Sequence, residues 1–168
     1  MSTINRLRRS PFWISAVEQW TLAVRSRQVA IFAGVFAALA MAVAASGYVL
    51  TGGTGLQDFA RTSASLVELV LLLVPLAALM VGATAFTPDR GAAELRYSQP
   101  VARRTLLAGQ MTGLFLALVA AETIGFGAAG VVLLWRTGAT GAGGFLGVMT
   151  AGAALTAVFL ALAAAIAG

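Results

Sequence analysis

"LVELVLLLVPLAALMVGATAF" (residues 66–86) carries a single charged side chain and is long enough to cross a bilayer as a helix. Three further runs of the same kind lie at residues 29–50, 106–134 and 145–168. The chain of 168 residues is 60% hydrophobic and only 10% charged, whereas a soluble domain has about 25% charged residues. These features predict an all-α integral membrane protein, in which residues 1–168 form one transmembrane domain with four visible spans.

Two of these spans have features that predict irregular helices. Pro75 lies in the middle of the second span, where it leaves the carbonyl of Leu71 without a donor, so we expect a kink there. The third span is longer than a hydrocarbon core of about 30 Å requires, so we expect it to tilt or to extend into water.

The arginines are distributed unevenly between the segments that connect the spans. Nine of the eleven lie before the first span or between the second and third: Arg6, Arg8, Arg9, Arg25, Arg27, Arg90, Arg96, Arg103 and Arg104. Because cytoplasmic segments are rich in arginine and lysine, this predicts a cytoplasmic N-terminus and a cytoplasmic segment 87–105. Residues 51–65 and 135–144 then face outward. The net charge of +5 therefore indicates topology and contact with anionic lipid, not binding of nucleic acid.

Residues 10–28 predict an amphipathic helix ahead of the first span. Ser10 is a good N-cap, and Pro11 suits the first helical position. A helical wheel places most apolar side chains on one face: Trp13, Ala16, Val17, Trp20, Ala23 and Val24. The opposite face holds Ser15, Glu18, Gln19, Arg25 and Ser26. Two tryptophans on the apolar face are typical of a helix in the headgroup plane, and a cytoplasmic extension of the first span is the alternative.

Cysteine, histidine and lysine are absent from the sequence. Without cysteine and histidine, the chain has no disulfide, no thiolate metal site and no histidine-ligated haem or zinc. A phosphate-binding loop of the Walker type requires a lysine, so the chain cannot supply one. We therefore expect no catalytic residue, no metal site and no cofactor site.

The charged insert "TPDRGAAELRYSQPVARRTLL" (residues 87–107) separates the second and third spans. Its initial Thr-Pro pair predicts a helix start, with Asp89 near the positive end of the helix dipole. Pro100 predicts the end of this helix and the start of the next, which Arg103 and Arg104 hold at the headgroups. The insert is thus predicted to be a short helix between two prolines. The alternative is a solvated loop whose arginines only set the topology.

The third span has two features that point to contacts inside the membrane. Small residues recur every four positions and form a ridge that another helix, of this chain or of another, can approach closely: Gly109, Gly113, Ala117, Ala121, Gly125 and Ala129. Glu122 lies about halfway along the span, where a carboxylate is costly, so we expect it to face protein or a water-filled path. Its role is open between a structural hydrogen bond and a transport path.

The order of these parts resembles a known family. "ARTSASLVELVLLLVPLAALMVGA" is followed by "DRGAAELRYSQPVARRTLLAGQ" and then by "GFGAAG" in the third span. The whole chain resembles the permease subunit of ABC transporters of the type-2 exporter class and is most similar to the NosY-like branch, permeases linked to nitrous oxide reductase maturation. The residues that match the family pattern are Arg90, Gly91, Glu94, Leu95, Gln99, Pro100, Val101, Arg103 and Gly109. Gln110, where the family usually has lysine, and Arg96, where it usually has an apolar residue, depart from it.

The resemblance implies a permease subunit that is not itself an enzyme and binds no cofactor. A separate cytoplasmic ATPase would bind ATP. A second permease chain, either a copy that gives a homodimer or a paralogue, would complete the path in the inner membrane of a bacterium or archaeon. Lipid and a periplasmic accessory protein are further partners that it implies. It assigns coupling with the ATPase to Asp89, Arg90, Gly91, Glu94, Pro100 and Arg103. The family usually has six spans, so we expect this chain to be a fragment.

Two other functions fit the residues. A stand-alone, proton-coupled secondary transporter would use Glu122 as its proton site. A membrane assembly factor that transports nothing would need only the spans. A neighbouring gene for an ATPase with a Walker motif favours the permease, whereas transport that follows the proton gradient and ignores ATP favours the secondary transporter.

Overall fold

The computed structural model describes residues 10–50, 55–87, 102–137 and 142–167. Within these ranges the chain forms five helices: α1 (Pro11–Arg25), α2 (Arg27–Leu50), α3 (Gly55–Phe86), α4 (Arg103–Thr137) and α5 (Ala142–Ala167). No strand occurs in the same ranges. The all-α prediction is confirmed, and the four long helices correspond to the four predicted spans.

α1 and α2 are separate helices joined at a sharp bend. Ser10 accepts a hydrogen bond from a backbone N–H of the first turn at 3.5 Å, and Pro11 opens α1, as predicted. Ser26 has extended backbone angles between the two helices. Its N–H donates to the Ala23 carbonyl, and its Oγ accepts from the Val29 N–H at 3.2 Å, so Ser26 caps α1 and α2 at once. α2 turns away from α1 by 62° at this residue.

The apolar runs locate the helices but not their ends. α3 begins at Gly55, so the helix is longer than the predicted span 66–86. It extends further because helix breakers, not hydropathy, end a helix, and no glycine or proline follows Gly55 before Pro75. The outward position of residues 51–65 stays a prediction. α4 has 35 residues, or roughly 52 Å, which exceeds the hydrocarbon core. α3 continues through Pro75, and the predicted kink stays a prediction.

α4 is the central helix of the bundle. It packs along α1 and α2 over much of its length and also contacts α5. α3 packs chiefly on α5 and on α2 and touches α4 only slightly. The four long helices therefore form a ring in the order α4, α2, α3, α5, and α1 lies against α4.

Buried apolar side chains form three layers along the bundle. The first layer joins all five helices: Ala23, Val29, Ala78, Val81, Phe86, Leu114, Ala117, Leu118, Ala121, Leu160, Ala163 and Ala164. The second layer contains Phe36, Val70, Val74 and Phe126. The third contains Ala40, Leu66 and Ala129. From the first layer to the third, residue numbers rise in α2 and α4 and fall in α3, so these helices alternate in direction.

The outer surface of the bundle suits lipid. Three helical stretches are long and apolar enough to cross a membrane: Ala64–Phe86, Arg103–Val131 and Gly143–Ala167. A fourth span results if Pro11–Arg25 and Arg27–Val43 count together as one bent span. Large apolar side chains also point outward, with Leu72 73% exposed and Ile166 75% exposed. Such a surface would be unfavourable in water.

α1 packs on α4 with small side chains taken from both faces of the wheel. Ser15, assigned to the polar face, is buried together with Ala16 and Ala23. Trp13 and Val17, assigned to the apolar face, are exposed. Ser15 is buried although its side chain is polar, because contact with a ridge of small residues selects small side chains, whereas the wheel sorts side chains by polarity. The position of α1 in the headgroup plane stays a prediction.

Candidate functional site

Most of the residues that the resemblance assigns to ATPase coupling lie outside the described residues: Asp89, Arg90, Gly91, Glu94 and Pro100. The remaining one, Arg103, is the first residue of α4 and is exposed. The structure therefore describes the two helix ends that this segment joins, at Phe86 of α3 and at Arg103 of α4.

Both helix ends lie at the end of the bundle where α1 packs. Phe86 is buried in the first layer, which includes Leu114 from the first half of α4. Ala23 of α1 and Val29 of α2 belong to the same layer. Because packed interiors transmit displacement, a movement of either helix end would reach all five helices through this layer.

Two glycines of α4 allow α1 to approach closely. A Cβ added at Gly109 would lie 1.9 Å from Ser15 Oγ and 2.7 Å from the Phe12 carbonyl oxygen. A Cβ added at Gly113 would lie 2.2 Å from the Ala16 carbonyl oxygen. The Ser15 hydroxyl donates to the Phe12 carbonyl at 2.9 Å, so its polar group is satisfied inside the contact. We call Phe12, Ser15 and Ala16 of α1 together with Gly109 and Gly113 of α4 the glycine seat.

The rest of the predicted ridge is also buried: Ala117, Ala121, Gly125 and Ala129. At Gly125 the neighbour is α2, since an added Cβ would lie 2.3 Å from the Phe36 ring. Gly127 lies on the same helix but has no atom within 4 Å of the added Cβ. The helices that approach the ridge at its glycines are therefore α1 and α2 of the same chain.

A polar contact links the start of α2 to the last turns of α3. Thr84 Oγ1 lies 3.1 Å from Gln28 Oε1 and 3.0 Å from the Val81 carbonyl oxygen. The Thr84 hydroxyl has one proton and donates to one of these two acceptors. Both contacts are satisfied if Thr84 donates to the Val81 carbonyl and the Gln28 amide, with its oxygen and nitrogen exchanged, donates to Thr84. In either form the contact ties the bend at Ser26 to the helix end that precedes residue 88.

Glu122 lies inside the bundle with 3% of its surface exposed, and Thr156 of α5 is fully buried beside it. The Thr156 hydroxyl donates a hydrogen bond to Glu122 Oε1. Within the described residues, every buried side-chain nitrogen or oxygen has a partner. The pair therefore joins α4 to α5 by a hydrogen bond in low-dielectric surroundings, where such a bond is strong.

Gly152, one turn before Thr156, leaves space beside the carboxyl group. A Cβ added there would lie 3.4 Å from Glu122 Oε2 and 3.6 Å from both Phe126 and Val70. The Phe126 ring packs edge-on against Phe36, with centroids 5.1 Å apart. Groups from α3, α4 and α5 thus enclose the carboxyl group, and those named here carry no charge.

The sequence identified Glu122 but not its partner. Thr112 and Thr123 of α4 each donate to the carbonyl four residues earlier, which is a common use of threonine in a helix. Thr156 donates to Glu122 instead, across 34 positions of sequence. A local pattern does not report so distant a contact. α5 also carries Thr150, one turn after Gly147, so no local signal singled out Thr156.

Comparison with known proteins gives two relatives, although no family model matches the sequence. The chain is 32% identical over 160 residues, 92% of its length, to a Pseudomonas aeruginosa protein named probable ABC transporter permease protein NosY. It is 31% identical over 123 residues, 72% of its length, to a protein of the same name from Stutzerimonas stutzeri. The matched parts cover 58% and 45% of these relatives, so the chain spans about half their length. The comparisons confirm the resemblance found in the sequence.

Proposed function

By sequence this chain is related to the NosY-type ABC transporter permeases, and we propose that it is the membrane permease subunit of an ATP-driven transporter. The observation that carries the proposal is the similarity over 92% of the chain. The apolar helices make the chain a multi-pass membrane protein. In the proposed complex, a separate cytoplasmic subunit binds and hydrolyses ATP, and this chain contributes no catalytic residue.

The proposed contact with the ATPase is the segment between α3 and α4. We assign it to five of the residues that match the family pattern and to the acid that precedes them: Asp89, Arg90, Gly91, Glu94, Pro100 and Arg103. The assignment is supported by the position of the flanking helix ends, since Phe86 is buried in the layer that α1 and α2 share. A partner that moves this segment would therefore act on the packed end of the bundle.

The packing suggests how such a movement would spread. α3 and α4 touch each other only slightly, so each would pass the movement to its other neighbours. α4 would carry it to α1 through the glycine seat and to α2 through the contact of Gly125 with Phe36. α3 would carry it to α5 and, through Thr84, to the start of α2.

We further propose that two such chains form a homodimer in the inner membrane, with the N-terminus in the cytoplasm. The distribution of arginine supports this orientation. Export of a substrate, or maturation of a periplasmic metalloprotein with an accessory protein, is the role that the NosY-like resemblance favours.

Affinity purification of the tagged chain from native membranes tests the proposal. We expect the eluate to contain a protein with a Walker motif and to hydrolyse ATP. Transport by the chain alone that follows the proton gradient and persists without ATP would instead support a secondary transporter.

Two variants test the coupling segment, because both leave the excess of arginine on this side intact. Glu94→Arg and Gly91→Leu should insert normally but lose the ATPase on purification, and Glu94→Asp, which keeps the charge, should retain it. Normal insertion with normal co-purification in the first two variants would overturn the assignment and leave a loop that only sets topology.

A further inference from the structure

We infer that Glu122 and Thr156 form a proton-binding site between α4 and α5. Glu122 carries a proton while the two helices are packed and releases it to water when α5 separates from α4. The inference concerns the helix bundle itself and does not depend on a partner ATPase.

The surroundings of Glu122 favour the neutral acid. Thr156 of α5 contacts the carboxyl group directly, Gly152 lies beside it, and Val70 of α3 and Phe126 of α4 lie around Gly152. None of these groups titrates, and Glu68, the nearest acid along α3, is exposed. A buried carboxylate without a counter-charge is costly, whereas a hydrogen-bonded neutral acid is not.

Thr156 suits both protonation states of its partner. A hydroxyl donates one hydrogen bond and also accepts, so Thr156 donates to the carboxylate and accepts from the acid O–H. When the Thr156 hydroxyl accepts this bond, it can donate its own proton to the backbone carbonyl one turn earlier, as the hydroxyls of Thr112 and Thr123 do. The pair therefore remains hydrogen-bonded whether or not the proton is present.

α5 is the helix whose movement would open this site. Of its most apolar stretch, 17% is buried in the bundle, compared with 39% in α3 and 50% in α4. α5 contacts α4 less extensively than it contacts α3, so its separation from α4 costs less free energy than its separation from α3. Because Gly152 and Thr156 close one side of the carboxyl group, withdrawal of α5 would replace both with water.

A proton is the ligand that this site fits. The described residues contain no group of three or more Asp, Glu, His or Cys side chains that would hold a metal ion. The Glu122 carboxyl group, hydrogen-bonded to one hydroxyl, binds a single proton by forming one O–H bond. When this bond breaks, the proton passes to water.

Labelling with dicyclohexylcarbodiimide, an apolar reagent that adds to protonated carboxyl groups, tests the site in the full chain in lipid vesicles. We expect an N-acylurea at Glu122 by mass spectrometry, with a yield that falls as the pH rises, and loss of this adduct in Glu122→Gln. The infrared C=O stretching band of the acid should disappear in the same variant. Absence of both the adduct and the band at every pH at which the protein stays folded would overturn the inference.

Four further variants separate the parts of the inference. Thr156→Val should keep the adduct but move the C=O band to higher frequency, and Thr156→Ser should restore it. Gly152→Leu, which pushes α5 from α4, should lose most of the adduct at neutral pH, whereas Gly147→Leu, at a site with open space, should not. Equal labelling in both leucine variants would overturn the link to helix separation. Protection by sodium ions at constant pH would overturn the assignment to a proton.

Discussion

Replacing Gly113 with alanine tests whether α1 is held on α4 by close backbone contact. The added Cβ would lie 2.2 Å from the Ala16 carbonyl oxygen and 2.9 Å from the Trp20 nitrogen. A carbon–oxygen contact needs about 3.3 Å, so α1 must move away by roughly 1 Å. Both obstructing atoms belong to the backbone, and no side-chain rotation relieves the overlap.

The expected cost follows from this displacement. A gap of about 0.5–1 Å forfeits a quarter to a half of the dispersion energy of each affected contact. Overpacking of this kind costs about 1–3 kcal/mol. Alanine is also favoured over glycine inside a helix by about 0.8–1 kcal/mol, and this gain partly offsets the cost.

Gly127→Ala is the matched control, since it lies on the same helix with nothing within 4 Å of the added Cβ. The Gly127→Ala variant gains the higher helix propensity of alanine, but its Cβ overlaps no neighbouring atom. The free energy of unfolding should therefore be lower in Gly113→Ala than in Gly127→Ala by about 1–3 kcal/mol.

Unfolding by sodium dodecyl sulfate in mixed micelles, followed by tryptophan fluorescence, measures this difference. Two of the three tryptophans, Trp13 and Trp20, lie on α1, and Trp135→Phe removes the third signal. Equal stability of the Gly113→Ala and Gly127→Ala variants would refute the glycine seat.

Three smaller changes give further predictions, each measured by the same unfolding assay. Ser26→Ala should cost about 1 kcal/mol, because the Val29 N–H loses the side chain that caps α2, and Ser26→Asp should restore the loss. Gly125→Ala should also destabilise the bundle, because its Cβ would lie 2.3 Å from the Phe36 ring; stability equal to Gly127→Ala would contradict this contact. Thr84→Val should change stability by less than about 1 kcal/mol, because its contact with α2 is exposed, and a larger loss would show that this contact matters more than its exposure suggests.

Local signals in the sequence predicted the start of α1 correctly. Ser10 and Pro11 act within one helical turn, so their effect does not depend on the rest of the fold. The start of α3 was not predicted, because hydropathy reports where a helix meets lipid. The helix itself continues to Gly55 through residues with no helix breaker among them.

Contacts between distant parts of the chain account for what the sequence missed at the candidate site. The spacing of the small residues indicated a surface for close approach, but only the contacts of Gly109, Gly113 and Gly125 show that α1 and α2 share it. Likewise, the position of Glu122 indicated a buried acid, whereas its partner Thr156 lies 34 positions away on another helix.

The rate of ATP hydrolysis by the purified complex tests the central claim most directly. At equal amounts of ATPase, the wild-type chain and Glu94→Asp should change the rate relative to the ATPase alone, whereas Glu94→Arg, although inserted in the membrane, should not. An identical rate with the wild-type chain, with Glu94→Arg and with no permease would contradict the proposal that this chain is the permease of an ATP-driven transporter.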